Sequence, residues 1–199
     1  MGEPSSAAGS SGAAGSSGAG GSSGAAGSSS EADRWDARHA VAGPGTPVPP
    51  GALRGREHLL PDGGRALDVA CGRGAVAAWL AGRGFAVDAV DVSPVGLAAG
   101  ATLAPGVSWI AHDLTLGLPV TGPYDVVVCQ RYRDPALYPA LVDVLAPGGL
   151  LVVTVLSEVG DSGGSFRAVP GELEAAFGHL RVLASEEGNG EASLVALAP

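Results

Sequence analysis

The feature that most constrains this chain is an alternation of short apolar runs with helix-like segments, which begins near residue 65. Five runs have the length and composition of β-strands: ALDVA, FAVDAVD, VSWIAHD, YDVVVCQ and LLVVTVL. Helical patterns such as GAVAAWLAGRG follow several of them, and SPVGLAAGATLA opens with Ser93 as N-cap and Pro94 at the first helical position. Because strands alternating with helices form parallel sheets with crossover connections, this pattern predicts an α/β fold with a doubly wound, mainly parallel sheet.

The C-terminal part of the chain departs from this alternation. VPGELEAAFG has a helical pattern, and LRVLASEEGNGEASLVALA is typical of a β-hairpin that turns at GNG. The hairpin would add one antiparallel strand to the sheet. Doubly wound sheets bind ligands at the carboxyl ends of their strands, so the residues that follow the strands are the site candidates.

Three regions can be separated by composition. Residues 1–30 repeat Ala, Gly and Ser without a large apolar side chain, which predicts a disordered tail because too little surface can be buried to offset backbone entropy. Residues 31–64 combine EADRWDARHA with a proline-rich stretch and a second short helical pattern over 52–60, so we expect a helical and extended segment that covers the site. Residues 65–199 form the predicted domain.

Composition also argues against several classes of function. The formal net charge is −9, and the chain contains no Lys, so a basic surface for nucleic acid is not expected. No apolar run approaches the roughly 20 residues of a membrane span. Two cysteines, Cys71 and Cys129, are too few for a disulfide framework or a metal cluster. We therefore predict a cytoplasmic protein without a metal, a nucleic-acid partner or a membrane partner.

The turn after the first strand contains Gly72 and Gly74 and leads into a helix. Glycine there lets a ligand approach the backbone, whose free amides are hydrogen-bond donors. GRGAVA fits the G-x-G-x-x-A dinucleotide fingerprint, and Asp91 lies nineteen positions beyond Gly72. Taken alone, this spacing leaves a nicotinamide-dependent oxidoreductase open.

Acidic residues at three strand ends favour a different ligand. Asp68, near the end of the first strand, suits a cationic amino group and would crowd a pyrophosphate. Asp91 can accept hydrogen bonds from two ribose hydroxyls, and Asp113 can accept one from the exocyclic amine of adenine. An amino acid, a ribose and an adenine across three neighbouring strands describe S-adenosylmethionine.

Each acid also has a simpler explanation. Backbone amides would satisfy Asp68 as an ordinary strand-end residue, and Asp91 would cap the next helix alongside Ser93. Asp113 would only precede a loop. The joint placement of the three acids, rather than any one of them, makes the pattern specific.

At this point the chain resembles a known family. LDVACGRG, VDAVDVSP, HDL, YDVVVCQ and LAPGGLLVV resemble the successive motifs of class I S-adenosylmethionine-dependent methyltransferases, over residues 35–199. The resemblance implies a Rossmann-like, seven-stranded sheet in the order 3-2-1-4-5-7-6 with strand 7 antiparallel. WDARHA is similar to the W-D-x-R-[YH] opening of small bacterial members, including the tellurite-resistance type, in which an N-terminal helix helps cover the cofactor.

The resemblance also implies which residues bind S-adenosylmethionine. The positions that match the family's cofactor motifs are Asp68, Ala70, Gly72, Gly74, Asp91, Val92, Asp113 and Leu114. The first acid and the two glycines would hold the methionine end, the second acid the ribose, and Val92 and the last two residues the adenine. Ala70 stands where the family usually has Gly, and we expect its methyl group to be tolerated because the tight turn lies at the later glycines.

Candidates on the acceptor side are less distinctive, and no set of residues amounts to a catalytic signature. Methyl transfer from a sulfonium mainly needs in-line positioning and exclusion of water, so we expect CQRYRD after the fourth strand and the N-terminal helix to line the acceptor pocket. The candidates are Gln130, Arg131, Tyr132, His39 and Arg167.

Some of these candidates also have a simpler structural explanation. Arg131 and Arg133 would attract an anionic acceptor, unless they pair with Asp134 or the helix behind it. His39 would act as a base from the covering helix, unless it faces solvent, and Arg167 would clamp the substrate from a glycine-flanked loop.

The sequence thus predicts an S-adenosylmethionine-dependent methyltransferase that acts on a small molecule. A module that binds the cofactor without catalysis would have the same acids, and a nicotinamide-dependent oxidoreductase is the third alternative. Cys71 and Cys129 end neighbouring strands, so they form either a redox pair or two small buried residues.

Overall fold

A computed structural model describes residues 1, 23–42, 45–161, 164 and 166–199, with only the backbone described for 23–30. The helices in these ranges are α1 (Ser23–Ala40), α2 (Ala75–Ala81), α3 (Pro94–Leu103), α4 (Tyr138–Asp143) and α5 (Glu172–Phe177). The strands are β1 (Gly64–Val69), β2 (Phe85–Asp91), β3 (Ser108–Ala111), β4 (Tyr124–Gln130), β5 (Leu145–Leu156), β6 (Arg181–Gly188) and β7 (Glu191–Leu197).

The strands form one sheet in the order β3-β2-β1-β4-β5-β7-β6. β1 to β5 pair in parallel, and β7 pairs antiparallel with both β5 and β6, which confirms the predicted fold. The hairpin between β6 and β7 turns at Asn189 and Gly190, whose φ angles of 53° and 80° are those of a type I′ turn. The carboxyl ends of the parallel strands therefore meet at one edge of the sheet.

Both faces of the sheet are covered. Val127 of β4 packs in a core cluster with α4 and α5, whereas its neighbours Val126 and Val128 pack in a second cluster with α2. All three side chains are fully buried. A central parallel strand that is buried on both faces needs the continuous apolar sequence that YDVVVCQ provides.

The region before β1 differs from the sequence expectation. α1 begins at Ser23, within the segment expected to be a disordered tail, and its first residues extend the packed part of the helix, which supplies the helical nucleus. The expectation for residues 2–22 lies outside the described residues. The predicted helix over 52–60 forms two 3₁₀ turns instead, at Gly51–Leu53 and Glu57–Leu59, because Gly55 between them has a φ of 75°.

β5 is longer than predicted. It begins at Leu145, and its pairing with β4 shifts register between Tyr124 and Val126, so APGG lies in an irregular start of the strand rather than in a separate loop. Among the described helices, none has the length and apolar character needed to cross a bilayer.

Candidate functional site

A cavity of about 460 Å³ opens at the carboxyl ends of β1, β2 and β4. Its walls combine the turns that follow these strands with one face of α1. The sequence candidates that line it are Ala70, Gly72, Asp91, Val92, Asp113, Leu114, Gln130, Arg131, Tyr132 and His39. The structure therefore brings ten of the thirteen candidates together, and it places Asp68, Gly74 and Arg167 elsewhere.

Asp68 is enclosed by protein rather than exposed on the cavity wall. Its side chain is 2% exposed, and its Oδ2 atom has no hydrogen-bond partner among the described residues. Burial raises the pKa of this carboxyl to about 7, the Ala77 amide opposes the rise, and the nearby Asp91 charge adds to it. An unsatisfied buried carboxylate oxygen is what a cationic amino group would stabilise, so this part of the site fits the amino-acid end of the expected cofactor.

The turn after β1 begins earlier than expected. Ala70 has a φ of 56°, in the left-handed region, as do Gly72 at 56° and Gly74 at 71°. The expectation that the tight turn lies only at the glycines is therefore wrong, because the chain already reverses at Ala70. A side chain in this conformation costs about 1–2 kcal/mol relative to glycine.

Replacing Ala70 with Gly is expected to raise the free energy of unfolding by up to about 1 kcal/mol. Relief of the left-handed strain exceeds the entropy of about 0.4–1 kcal/mol that the unfolded chain gains. Urea unfolding measures the change. Ala78→Gly in α2, where the backbone is helical, is the matched control and should lower stability by about 1 kcal/mol. A less stable Ala70→Gly protein would contradict the strain argument.

Gly74 serves packing rather than the cavity. A Cβ atom at this position would lie 2.1 Å from Trp109 Cη2, and one at Gly100 of α3 would lie 2.4 Å from the Cζ3 atom of the same ring. The two glycines therefore make room for the β3 tryptophan between α2 and α3. The methionine-end role inferred for Gly74 is not supported by its position.

Asp91 ties the ends of two strands together. Its Oδ2 atom accepts a hydrogen bond from the Gly72 amide at 2.8 Å, and its Oδ1 atom accepts one from the Ser93 amide at 2.9 Å. The capping explanation for Asp91 is therefore correct, since Ser93 is the N-cap of α3. Each carboxylate oxygen keeps a second lone pair, so a carboxylate that lines the cavity can still accept from ribose hydroxyls.

Asp113 also has a local role. Its Oδ1 atom accepts from the backbone amide of Thr115 at 3.0 Å and from the hydroxyl group of Thr115 at 2.7 Å, which caps the 3₁₀ turn Leu114–Leu116. Leu114 is buried behind it and lines the cavity. Asp113 therefore stands at the cavity wall in a fixed orientation, and the predicted role with adenine remains a prediction.

α1 closes one side of the cavity and is anchored both to the start of α3 and to the glycine turn. Asp36 accepts hydrogen bonds from the Ser93 hydroxyl group and from the Val95 amide, the latter at 3.2 Å. The Arg73 guanidinium donates to the carbonyl oxygen of His39. The imidazole of His39 lies against the turn, because a Cβ atom on Gly72 would lie 3.4 Å from its Cε1 atom.

Sequence reasoning missed part of this helix face. Besides His39, the cavity is lined by Glu31, Trp35 and Arg38. The rings of Trp35 and His39 stack with centroids 5.9 Å apart. The spacing i, i+4, i+7, i+8 places these residues on one side of a helix, so a helical reading of EADRWDARHA could have found them.

The segment after β4 makes fixed contacts with its neighbours. Gln130 accepts a hydrogen bond from the Gly51 amide through its Oε1 atom at 2.8 Å, which joins the proline-rich region to the cavity. Arg131 has a φ of 58° and forms an ion pair with Glu191 at 2.6 Å. Tyr132 is half-buried, and burial raises its pKa above the ordinary value, so the phenol stays protonated.

The other two arginine candidates are occupied by structural contacts. Arg133 forms a two-pronged ion pair with Glu172, at 2.8 and 2.6 Å, so neither it nor Arg131 pairs with Asp134 as considered. Arg167 donates to the carbonyl oxygens of Ser157 and Gly190, at 2.8 and 3.1 Å, and pairs with an acid of its own loop. Arg167 therefore ties its loop to the hairpin and does not reach the cavity, so the clamp role is not supported.

The two cysteines belong to different faces of the sheet. Cys129 lies in the core cluster with α4 and α5, and Cys71 packs against the cluster with α2. Burial raises the pKa of both thiols, that of Cys129 to about 12, and the Asp68 charge adds to each rise. Protonated buried thiols are unreactive, which favours the simpler explanation over a redox pair. Across the described ranges, no cluster of His, Cys, Asp or Glu could hold a metal ion.

Comparison with known proteins places this site in context. A methyltransferase-domain family model matches residues 66–149, which contain the glycine turn and all three acids. The ribosomal RNA small subunit methyltransferase C of Chromohalobacter salexigens is 36% identical over 138 residues, 63% of this chain and 39% of that protein. The ubiquinone biosynthesis O-methyltransferase of a Caulobacter species is 34% identical over 111 residues, 48% of this chain and 42% of that protein.

The chain thus spans about 40% of the length of these curated relatives. Among solved structures, TehB from Haemophilus influenzae superposes with a TM-score of 0.64 at 18% identity, covering 74% of this chain and 61% of that one. A likeness at this identity establishes the fold. The family match, the sequence relatives and the strand order together confirm the predicted resemblance to class I S-adenosylmethionine-dependent methyltransferases.

Proposed function

We propose that this protein is a methyltransferase that transfers a methyl group from S-adenosylmethionine to a small molecule. The observation that carries the proposal is the buried Asp68 carboxylate, which has an unpartnered oxygen and lies near enough to Asp91 of the cavity wall for the Asp91 charge to raise its pKa. Three carboxylates at adjacent strand ends match a ligand with an amino group, a ribose and an adenine. The match to the methyltransferase-domain family supports this donor.

The residues of the chain would divide the work of binding. Asp68 would stabilise the amino group electrostatically, Asp91 would accept from the ribose, and Asp113 would accept from the adenine amine. Gly72 lets the ligand approach the backbone closely. Its positive φ angle would be strained in a residue that has a Cβ atom. Val92 and Leu114 contribute apolar cavity surface for the adenine face.

The chemistry supplied by the donor is a methyl group on a sulfonium. A lone pair of the acceptor forms the new bond to the methyl carbon, the carbon–sulfur pair returns to sulfur as a thioether, and an acceptor proton leaves to solvent or to a base. The protein needs to align the acceptor and keep water out, which α1 does by closing one side of the cavity. His39 contributes an imidazole to the cavity, and this type of side chain often serves as a general base.

A small acceptor fits this chain better than RNA, although one relative is named for ribosomal RNA. The chain carries a formal charge of −9, and electrostatic attraction to phosphates dominates nucleic-acid affinity. The other relative is named for O-methylation in ubiquinone biosynthesis. The cavity beneath α1 has the size range of small-molecule sites.

Calorimetry with S-adenosylhomocysteine, followed by product release from a panel of catechols, thiols and amines, tests the proposal. We expect saturable binding at micromolar concentrations and S-adenosylhomocysteine formation with at least one small acceptor, but none with small-subunit RNA. Binding without turnover on any acceptor would identify a binding module. Saturable NADH binding in place of S-adenosylhomocysteine binding would restore the oxidoreductase alternative and overturn the proposal.

A further inference from the structure

One cation of the cavity wall has no acidic partner among the residues that the structure describes. Arg38 lies on the cavity face of α1, and its guanidinium carbon is 5.3 Å from the centre of the Trp35 ring. In the part of the chain that the structure describes, no carboxylate forms an ion pair with Arg38. Stacking on an aromatic face orients a guanidinium and leaves its N–H groups available for an anion.

The other arginines near the acceptor side already have carboxylate partners or lie outside the cavity. Arg131 pairs with Glu191, Arg133 pairs with Glu172, and Arg167 lies outside the cavity. The positive charge that an anionic acceptor would need is therefore not provided by the residues that the sequence suggested. It is provided by a residue of the helix that covers the cavity.

The carboxylates of the cavity have other contacts. Asp91 and Asp113 accept from backbone amides at the strand ends, and Glu31 forms an ion pair with Arg34 within α1. On the wall formed by the β4 end, Tyr132 contributes a phenol that stays protonated and can donate a hydrogen bond. A guanidinium and a phenol on one cavity are donors that suit a carboxylate or a similar oxyanion.

We propose that Arg38 recognises an anionic group of the methyl acceptor, so that the substrate is a small acid and α1 is part of its specificity. This inference rests on the proposed function and narrows its substrate class. Recognition by a residue of the covering helix would couple acceptor binding to closure of the cavity. A neutral analogue would leave the Arg38 guanidinium and the Tyr132 hydroxyl group without an acceptor.

Matched acid and amide probes test this directly. The pairs are 3,4-dihydroxybenzoate with 3,4-dihydroxybenzamide, and mercaptoacetate with mercaptoacetamide. In the wild-type protein we expect kcat/KM to be at least tenfold higher for the acid of a pair. Arg38→Gln is expected to lower kcat/KM for the acid by about 10–100-fold, mainly through KM, and to leave the amide within about twofold.

The matched control is Arg83→Gln, because Arg83 makes the same kind of contact, 4.3 Å above the Trp79 ring, away from the cavity. It should leave both probes unchanged. No preference for acids in the wild-type protein, methylation of neither probe series, or equal losses on acid and amide in Arg38→Gln would overturn the inference.

A second measurement separates the acceptor from the donor. Affinities for S-adenosylhomocysteine and for 5′-methylthioadenosine, which lacks the amino-acid end, are compared in the wild-type and Arg38→Gln proteins. We expect both affinities to stay within about threefold. A selective loss for S-adenosylhomocysteine would mean that Arg38 holds the carboxylate of the donor, which overturns the inference while preserving the proposed function. Failure of the wild-type protein to bind S-adenosylhomocysteine would instead refute the proposed function.

Discussion

Replacing Asp68 with Asn should stabilise the ligand-free protein and weaken its affinity for S-adenosylmethionine. The carboxyl is fully enclosed, and its pKa of about 7 lies well above its ordinary value, so at pH 8 its ionised form costs folding on the order of 4 kcal/mol. Asparagine removes the charge, but its NH₂ group gains no evident acceptor, which costs about 1–3 kcal/mol. The expected net gain is about 1–3 kcal/mol at pH 8.

The gain in stability should depend on pH with a definite sign. Because the pKa of Asp68 is higher in the folded state, the folded protein holds a proton that the unfolded chain has lost between about pH 4 and pH 7. The stability contributed by this proton is complete below about pH 4 and is lost as the pH rises to about 7. The advantage of Asp68→Asn should therefore be greatest above pH 7, should shrink as the pH falls, and should reverse near pH 4, where the neutral Asp68 carboxyl no longer carries the cost of ionisation, as measured by urea unfolding.

Affinity should change in the opposite direction. The carboxylate stabilises a cationic amino group only when ionised, so wild-type affinity for S-adenosylmethionine should fall as the pH decreases through 7, and that of Asp68→Asn should not. At pH 8 we expect the variant to bind about 10–100-fold more weakly by calorimetry. Asp125→Asn is the control, because Asp125 accepts from the Arg65 amide at the opposite edge of the sheet. Unchanged affinity in Asp68→Asn would remove this acid from the site.

Replacing Asp91 with Ala should damage both the fold and the site. The side chain is 7% exposed and accepts from the amides of Gly72 and Ser93, so alanine leaves two amide groups without partners. We expect the free energy of unfolding to fall by about 2–4 kcal/mol. We expect affinity for S-adenosylhomocysteine to fall by a further 1.5–3 kcal/mol, the usual contribution of hydrogen bonds to a charged group.

Two other variants separate these effects. Asp91→Asn keeps one acceptor oxygen, so its loss of stability should be about half that of the alanine variant. Asp113→Ala removes a cap from an exposed 3₁₀ turn and should cost less than about 1 kcal/mol of stability. Calorimetry is done below the melting temperature of each variant, so that folding and binding are not confused. An alanine variant with wild-type affinity would limit Asp91 to its structural contacts.

The sequence predicted the donor side of the site better than the acceptor side. The strand pattern predicted the sheet, because buried parallel strands require apolar runs, and acids at three strand ends were expected at the same edge. On the acceptor side, the arginines were recognised as candidates by residue type alone. Their partners are Glu191 and Glu172, which lie 60 and 39 positions away in the sequence, so no local pattern could have revealed the pairing.

Backbone conformation was the second feature that the sequence did not predict. Ala70 and Arg131 both adopt left-handed φ angles that alanine and arginine rarely take, so their sequence suggested no turn. Gly74 has the residue type expected of a ligand-binding turn, but the space made by its missing side chain is filled by Trp109, 35 positions later. A glycine motif indicates where another group can approach the backbone closely. Only the packing shows whether that group is a ligand or a side chain of the protein.

The sequence alone determined the alternation of strands and helices, the position of the acids and the glycine turn, since these depend on local periodicity. The strand order was implied by the resemblance to the methyltransferase family. The tertiary structure decided which candidates reach the cavity. It anchored α1 to the start of α3 through Asp36, enclosed Asp68, and paired Arg131 and Arg133 with carboxylates that are distant in the sequence. Burial and ion pairing between distant residues set these outcomes, because both depend on which surfaces meet in space rather than on neighbours along the chain.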